Sequence, residues 1–133
     1  LNFYDLKSFK TTIIINNNYL NNMNCCSICG DELKENYTTK LQCGHEFHYE
    51  CIFLTFKTLK TLDCPYCRKT SECLPIVNGL KKIVPIIHYK IGNERPEYEN
   101  KKCNAILKRG KNKGNECGKY CKLGYYQCKL HCK

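Results

Sequence analysis

The feature that most constrains this chain is the order of its cysteines and histidines between residues 26 and 67. Cys26 pairs in sequence with Cys29, Cys43 with His45, His48 with Cys51, and Cys64 with Cys67. These four close pairs offer eight thiolate or imidazole ligands, enough for two tetrahedral zinc ions. A short turn inside each pair aims both side chains at one ion. Thirteen cysteines in 133 residues is far above ordinary usage, and such a count means disulfides or metal. The odd number, the Cys-x-x-Cys spacing and the histidines at ligand spacing favour metal. The first residues hold no uninterrupted apolar core of a secretory signal, because Ile13, Ile14 and Ile15 are flanked by polar residues and an Asn run. No stretch is long enough to span a bilayer. The expected setting is therefore the reducing cell interior, where thiols stay available for metal. The chain starts at Leu1 rather than Met, which reads as a segment of something longer.

Four parts follow along the chain. Residues 1–24 form an Asn-rich leader, and residues 25–72 the first Cys/His cluster. Residues 73–100 form a connector punctuated by Pro75, Pro85 and Pro96. Residues 101–133 form a second, basic cluster. In the connector, Ile76, Val77, Leu80, Ile83 and Val84 recur near helical spacing, and Pro85 ends any such helix. Ile86, Ile87, Tyr89 and Ile91 read as a short strand. The connector is expected to pack on a neighbour and carries no evident chemistry; its lone His88 reads as structural or solvent-exposed, not as a ligand.

Within the first cluster the runs CSIC, LQCGHEFHYEC and CPYCR resemble a RING finger of the kind with two central histidines. The resemblance covers about a third of the chain and fills all eight ligand positions. It implies that Cys26, Cys29, His48 and Cys51 hold one zinc, while Cys43, His45, Cys64 and Cys67 hold the other. That interleaving suits a segment of about 45 residues, which lies near the lower limit for a self-sufficient apolar core. A structural zinc contributes roughly 10–16 kcal/mol of apparent binding free energy. Leu41 and Phe47 flank the middle ligands on an expected short hairpin. Ile52, Phe56 and Leu59 follow Cys51 at helical spacing and are expected to face inward. Cys25 and Cys73 are spare.

The resemblance also implies a function. RING ligases have no covalent nucleophile; they hold a ubiquitin-conjugating enzyme and its thioester-linked ubiquitin in a reactive pose, which is catalysis by positioning. Matched by position, Ile28 and Pro65 are the apolar contacts to the conjugating enzyme. Arg68, directly after the last ligand, is the basic residue that bridges enzyme and ubiquitin through its planar fork of donors. Many relatives carry a Trp in the helix after the sixth ligand. This chain has no Trp; Thr55 or Phe56 lies near that position, and Phe56 is the apolar candidate.

The second cluster offers Cys103, Cys117, Cys128 and His131 as a third zinc site, with Cys121 and Cys132 as alternatives in a set of Cys117, Cys121, Cys128 and Cys132. Gly110 and Gly114 permit a tight turn between Cys103 and Cys117. The run resembles a short basic Cys/His module of large DNA viruses, and the abundance of Asn, Lys, Ile and Tyr fits an A/T-rich genome of that kind. The formal charge is +10 and falls unevenly. Residues 1–70 hold eight Lys or Arg and seven acids, whereas residues 71–133 hold fourteen and five. From Lys101 to Lys133 there are ten basic residues and one acid, Glu116, with Tyr120, Tyr125 and Tyr126 among them. Basic side chains beside aromatics suit a nucleic-acid backbone and its bases.

The expectation is thus a small zinc-stabilised α+β fold, a cross-brace RING domain plus a second small zinc-binding module. Its cofactor is Zn2+, two ions in the RING and a third in the tail. Its expected function is ubiquitin ligation, with a ubiquitin-conjugating enzyme, ubiquitin and a protein substrate as partners, nucleic acid as a candidate partner of the tail, and no membrane. The setting is cytoplasm or nucleus, including that of an infected host cell. The alternatives are an inactive RING adaptor and a nucleic-acid-binding zinc protein.

Overall fold

The computed structural model describes residues 24–132, so the leader expected over residues 1–24 lies outside the described residues but for Asn24. Regular structure is sparse. A 3-10 turn, Leu33–Glu35, leads into β1, Thr38–Lys40, which pairs antiparallel with β2, Glu46–His48. Thr38 faces His48 and Lys40 faces Glu46. The single α-helix among the described residues, α1, Tyr49–Leu59, starts directly after β2. The fold is a small α+β arrangement, and no helix among the described residues is long and apolar enough to cross a membrane.

The hairpin forms because Gly44 takes φ 91° in its tip, a conformation that glycine adopts without steric cost. The Gly44 amide donates to the Leu41 carbonyl (2.9 Å), and the Leu41 amide donates to that of His45 (2.9 Å). Alternation along β2 turns Phe47 inward. Along α1, the i, i+3, i+7 spacing of Tyr49, Ile52 and Phe56 puts one stripe in the core, and none of the three is exposed. Leu59 continues that stripe yet is 59% exposed, against the sequence expectation. It is the last helical residue, and the chain turns away at Lys60 in a left-handed conformation.

The core does not stop at the first cluster. Leu74, Leu80 and Ile87 of the connector join Phe47, Tyr49, Ile52 and Phe56 in one apolar group. The helix and strand expected there are absent: among residues 73–100 only an isolated bridge between Pro85 and Tyr89 forms. The reason lies in where the backbone bonds go. The Gly79 amide donates to Asn100 Oδ1 (2.7 Å) and the Leu80 amide to the Tyr98 hydroxyl (3.0 Å), so side chains take the places a helical ladder would fill. Gly79 has φ 86° and Ile86 φ 73°, both outside helix and strand space. The periodic apolar residues are buried, but by loops.

His88 is buried and fully bonded. Its Nδ1 accepts from the Val84 amide (2.9 Å), which leaves the proton on Nε2, facing the Tyr49 hydroxyl at 3.1 Å. That hydroxyl donates to the Pro75 carbonyl (2.5 Å). A neutral imidazole therefore links α1 to the connector, and burial lowers its pKa from the ordinary 6.5.

The C-terminal segment is a two-sided arm folded back on the rest. The Leu107 amide donates to the Asn115 carbonyl (2.9 Å), and that of Cys103 to Lys119 (2.9 Å). Isolated bridges pair Lys102 with Tyr120 and Ile106 with Glu116. Asn78 holds the arm to the connector: its Nδ2 donates to the Tyr125 carbonyl (2.7 Å), and its Oδ1 accepts from the Lys101 amide (2.8 Å).

Candidate metal centres

Two turns of the first cluster share one backbone pattern. In the first, the Gly30 amide donates to the Cys26 carbonyl (2.7 Å) and the Cys26 amide to Asp31 (2.9 Å). In the second, the Arg68 amide donates to the Cys64 carbonyl (2.8 Å) and the Cys64 amide to Lys69 (2.9 Å). Each turn points two thiols the same way. The hairpin tip supplies Cys43 and His45. The junction of β2 with α1 supplies His48 and Cys51, one at the strand end and one in the first helical turn.

These pieces converge as three groups of four, each with its donor atoms within 4.8 Å of one another. One is Cys26, Cys29, His48 and Cys51; the next is Cys43, His45, Cys64 and Cys67; the third is Cys103, Cys117, Cys128 and His131. In the first, His48 Nδ1 lies 3.2 Å from the Cys29 sulfur and 4.0 Å from that of Cys51. In the second, His45 Nδ1 lies 3.3 Å from Cys43 and 3.6 Å from Cys64. In the third, His131 Nδ1 lies 3.5 Å from Cys103 and 3.4 Å from Cys128, and the sulfurs of Cys117 and Cys128 are 3.9 Å apart. A tetrahedral zinc, with bonds of about 2.3 Å to sulfur and about 2.0 Å to nitrogen, spaces its ligands by about 3.5–3.8 Å. The donor sets fit Zn2+ in type, number and spacing.

The surroundings favour ligation. The second ring nitrogen of His48 donates to the Glu32 carbonyl (2.9 Å), which fixes the tautomer that leaves Nδ1 free for a metal. The Tyr66 ring lies 4.6 Å from that of His45. The His45 amide holds the Cys43 thiol down at about 6, so it is largely thiolate at neutral pH. Cys51 is the opposite: burial and the neighbouring Cys26 and Cys29 push its thiol up. Three thiols crowded together resist joint ionisation unless a cation neutralises them. In the third group burial raises Cys103 and Cys128, but hydrogen bonds from backbone amides and neighbouring side chains together outweigh it, and both fall below the usual thiol value.

The spare cysteines lie elsewhere. Cys73 donates to the Ile86 carbonyl (3.3 Å) and Cys121 to that of Lys101 (3.2 Å). Neither Cys121 nor Cys132 belongs to the third group. All thirteen cysteines are free of disulfides. Of the residues matched to conjugating-enzyme contacts, Ile28 and Pro65 are half-buried and Arg68 is exposed. Phe56 is wholly buried, so it presents no outward apolar surface; Thr55, the other residue near that helix position, is half-buried and bonds back to the Cys51 carbonyl (2.9 Å).

Residues 24–68 match the Ring finger domain family. That stretch holds the first two groups of four. A 51-residue stretch is 44% identical to the E3 ubiquitin-protein ligase IPI1 of Oryza sativa subsp. japonica, covering 35% of this chain and 11% of that protein. A 48-residue stretch is 48% identical to the E3 ubiquitin-protein ligase RNF181 homolog of Drosophila melanogaster, covering 35% of this chain and 31% of that protein. The Bifunctional apoptosis regulator of Rattus norvegicus is 40% identical over 55 residues, covering 41% of this chain and 12% of that protein. The chain thus spans a third or less of the length of these relatives. No solved structure matches it. The protein combines a RING domain with a further Cys/His group toward its C-terminus.

One contact had no signal in the spacing. Gly124 of the arm has φ 82°, and a β-carbon there would collide with the Tyr37 ring. Tyr37 stands just before β1, 6.1 Å from the Tyr49 ring and 6.0 Å from that of Tyr125. Sequence reasoning gave Tyr37 and Gly124 no role; only a glycine in a Cys-rich tail hinted at a close approach.

Proposed function

We propose that this protein is a RING-type ubiquitin ligase. It binds a ubiquitin-conjugating enzyme through Ile28 and Pro65 and steadies the thioester-linked ubiquitin through Arg68. The observation that carries this reading is the coincidence of the Ring finger match over residues 24–68 with an exposed Arg68 immediately after the last of eight gathered ligands. Two relatives that each match about a third of this chain are named E3 ubiquitin-protein ligases.

In this reading the twelve clustered residues hold three zinc ions, whose contribution is structural, because four protein ligands leave no open coordination position. The reaction belongs to the conjugating enzyme. Its ubiquitin thioester is attacked by a substrate amine, the C–S bond breaks, and the enzyme's thiolate leaves. Ile28 and Pro65 supply apolar contact on the docking face. Arg68 donates hydrogen bonds across the junction and so restricts the ubiquitin to conformers ready for attack. The basic run around the third group resembles a short Cys/His module of large DNA viruses, a likeness that would set the ligase inside an infected cell.

Discharge of ubiquitin from a panel of charged conjugating enzymes onto free lysine tests the proposal. Zinc-loaded protein accelerates discharge with at least one enzyme, and Ile28→Ala abolishes the acceleration. No acceleration across the panel at full zinc loading would refute it.

A further inference from the structure

A cleft of about 1040 Å³ opens between α1, the connector and the C-terminal arm, and its lining also takes in Cys29, His48 and Cys51 of the first metal group and Cys128 of the third. Small-molecule sites occupy about 300–1,000 Å³, so this one is large enough for a peptide segment. Its first wall is the stripe Glu50, Phe53, Leu54 and Lys57 of α1. With about 100° between successive helix residues, Leu54 and Lys57 point away from the buried stripe. They also lie to one side of Thr55, one of the two residues near the helix position where many RING relatives carry a Trp. The cleft and that position therefore use different faces of one helix.

Its chemistry is mixed and biased. Lys57, Lys81, Lys82, Lys119, Lys122 and Lys129 line it against two acids, Asp31 and Glu50. Between the lysines stand apolar groups open to solvent: Leu54 is 51% exposed and Leu130 74%. Phe53 and Leu123 add partly buried apolar surface from two walls. A positive, concave surface with apolar anchors complements a chain that carries both acids and large apolar side chains.

A nucleic acid fits less well. Sequence-tolerant binding to single strands uses aromatic faces on which bases stack. Tyr120, in the cleft wall, carries the Lys102 ammonium 3.2 Å above its ring. Lys122 stands 5.2 Å from Tyr125, and Lys101 5.7 Å from Tyr126. The tail's tyrosines thus each have a face engaged by its own lysines. Of the open groups of the cleft, Leu54 and Leu130 are aliphatic, and Tyr120, 75% exposed, has one ring face taken by Lys102.

We propose that this cleft is the substrate-docking site, and that its occupant is a segment of a partner protein in which Asp or Glu alternates with Leu, Ile or Phe. The word substrate rests on the ligase reading; the binding does not. Held on α1 beside the conjugating-enzyme face, such a segment would bring its neighbouring lysines close to the ubiquitin thioester.

Fluorescence anisotropy on the full zinc-loaded chain tests this without conjugating enzyme or ubiquitin, so its outcome is independent of ligase activity. The probe is a labelled pool of roughly 12-residue peptides with three acidic and two Leu, Ile or Phe positions; controls replace the apolar positions by Ser, or use oligo-dT of equal length. The pool is expected to bind, with affinity falling about tenfold for the Ser control and about tenfold for Leu54→Glu or Lys82→Glu. Both positions are exposed, and unchanged zinc content and circular dichroism certify the fold. Absence of binding at millimolar peptide, equal affinity for the Ser control, or no effect of Leu54→Glu would each overturn the proposal. Tighter binding of oligo-dT that ignores Leu54→Glu would reassign the surface to phosphate.

Discussion

Arg68 takes φ 63° at the turn position where Gly30 takes φ 84°. Both follow the second cysteine of a Cys-x-x-Cys turn, and both donate to the carbonyl of the first cysteine. One turn uses the residue suited to left-handed space; the other holds an Arg there at a cost of about 1–2 kcal/mol. Tolerated strain of that kind is found at sites where the side chain has work to do.

Replacing Arg68 with Gly therefore separates backbone from side chain. Relief of strain and the added freedom of the unfolded chain offset each other, so the melting point should stay within the shift of about 1 kcal/mol. Ubiquitin discharge should fall about tenfold or more, as expected for loss of a charge-assisted hydrogen bond in the reactive pose. Arg68→Lys should recover only part, because an ammonium lacks the planar fork. Thermal melts alongside lysine-discharge rates check both halves.

Cys128 belongs to the third group and is almost fully buried. Cys128→Ser should lower zinc from three ions per chain to two by elemental mass spectrometry, because one ligand of four is lost. Chelation of the wild-type chain should go further and abolish the folded circular-dichroism spectrum, since a structural zinc contributes roughly 10–16 kcal/mol to folding.

Gly124→Ala should loosen the arm from the RING. The new methyl would meet the Tyr37 ring and would demand φ 82° of an alanine. Overpacking and strain together cost about 1–3 kcal/mol. Amide exchange should quicken around residues 119–130 and at Tyr37, while zinc content stays constant.

His88 predicts a pH effect. Its folded pKa lies below the ordinary 6.5 because burial disfavours the charged ring. Below 6.5 the unfolded chain takes up the proton more readily than the folded one, so stability is full above that value and falls as the pH drops through it toward the folded pKa. His88→Gln should cost about 1–3 kcal/mol at pH 7.5 through the broken bonds to Val84 and Tyr49. That gap should narrow as the pH falls from 6.5. Melts of both proteins across this range read the difference, in which acid loss of zinc common to both cancels.

Ligand spacing was legible because coordination is a local rule: a Cys-x-x-Cys turn aims two sulfurs at one point whatever surrounds it. Of the residues that spacing and resemblance named, the twelve ligand candidates lie in three groups, while Ile28, Pro65, Arg68 and the alternatives Cys121 and Cys132 lie outside them. The hairpin around Gly44 and the inward stripe of α1 followed from equally local patterns. The connector did not. Its apolar period matched a helix, yet Tyr98 and Asn100 supply the partners for Gly79 and Leu80 from about twenty residues away, and no local pattern records that.

The sequence by itself determined which side chains can hold metal and how they are paired along the chain, because chelate geometry depends on a few consecutive residues. Only the tertiary structure decided that Tyr37 meets Gly124, that Leu59 stays exposed at the end of α1, and that three separate segments wall one cleft. Those outcomes depend on which surfaces exclude water against each other, and packing of that kind is a property of the whole chain.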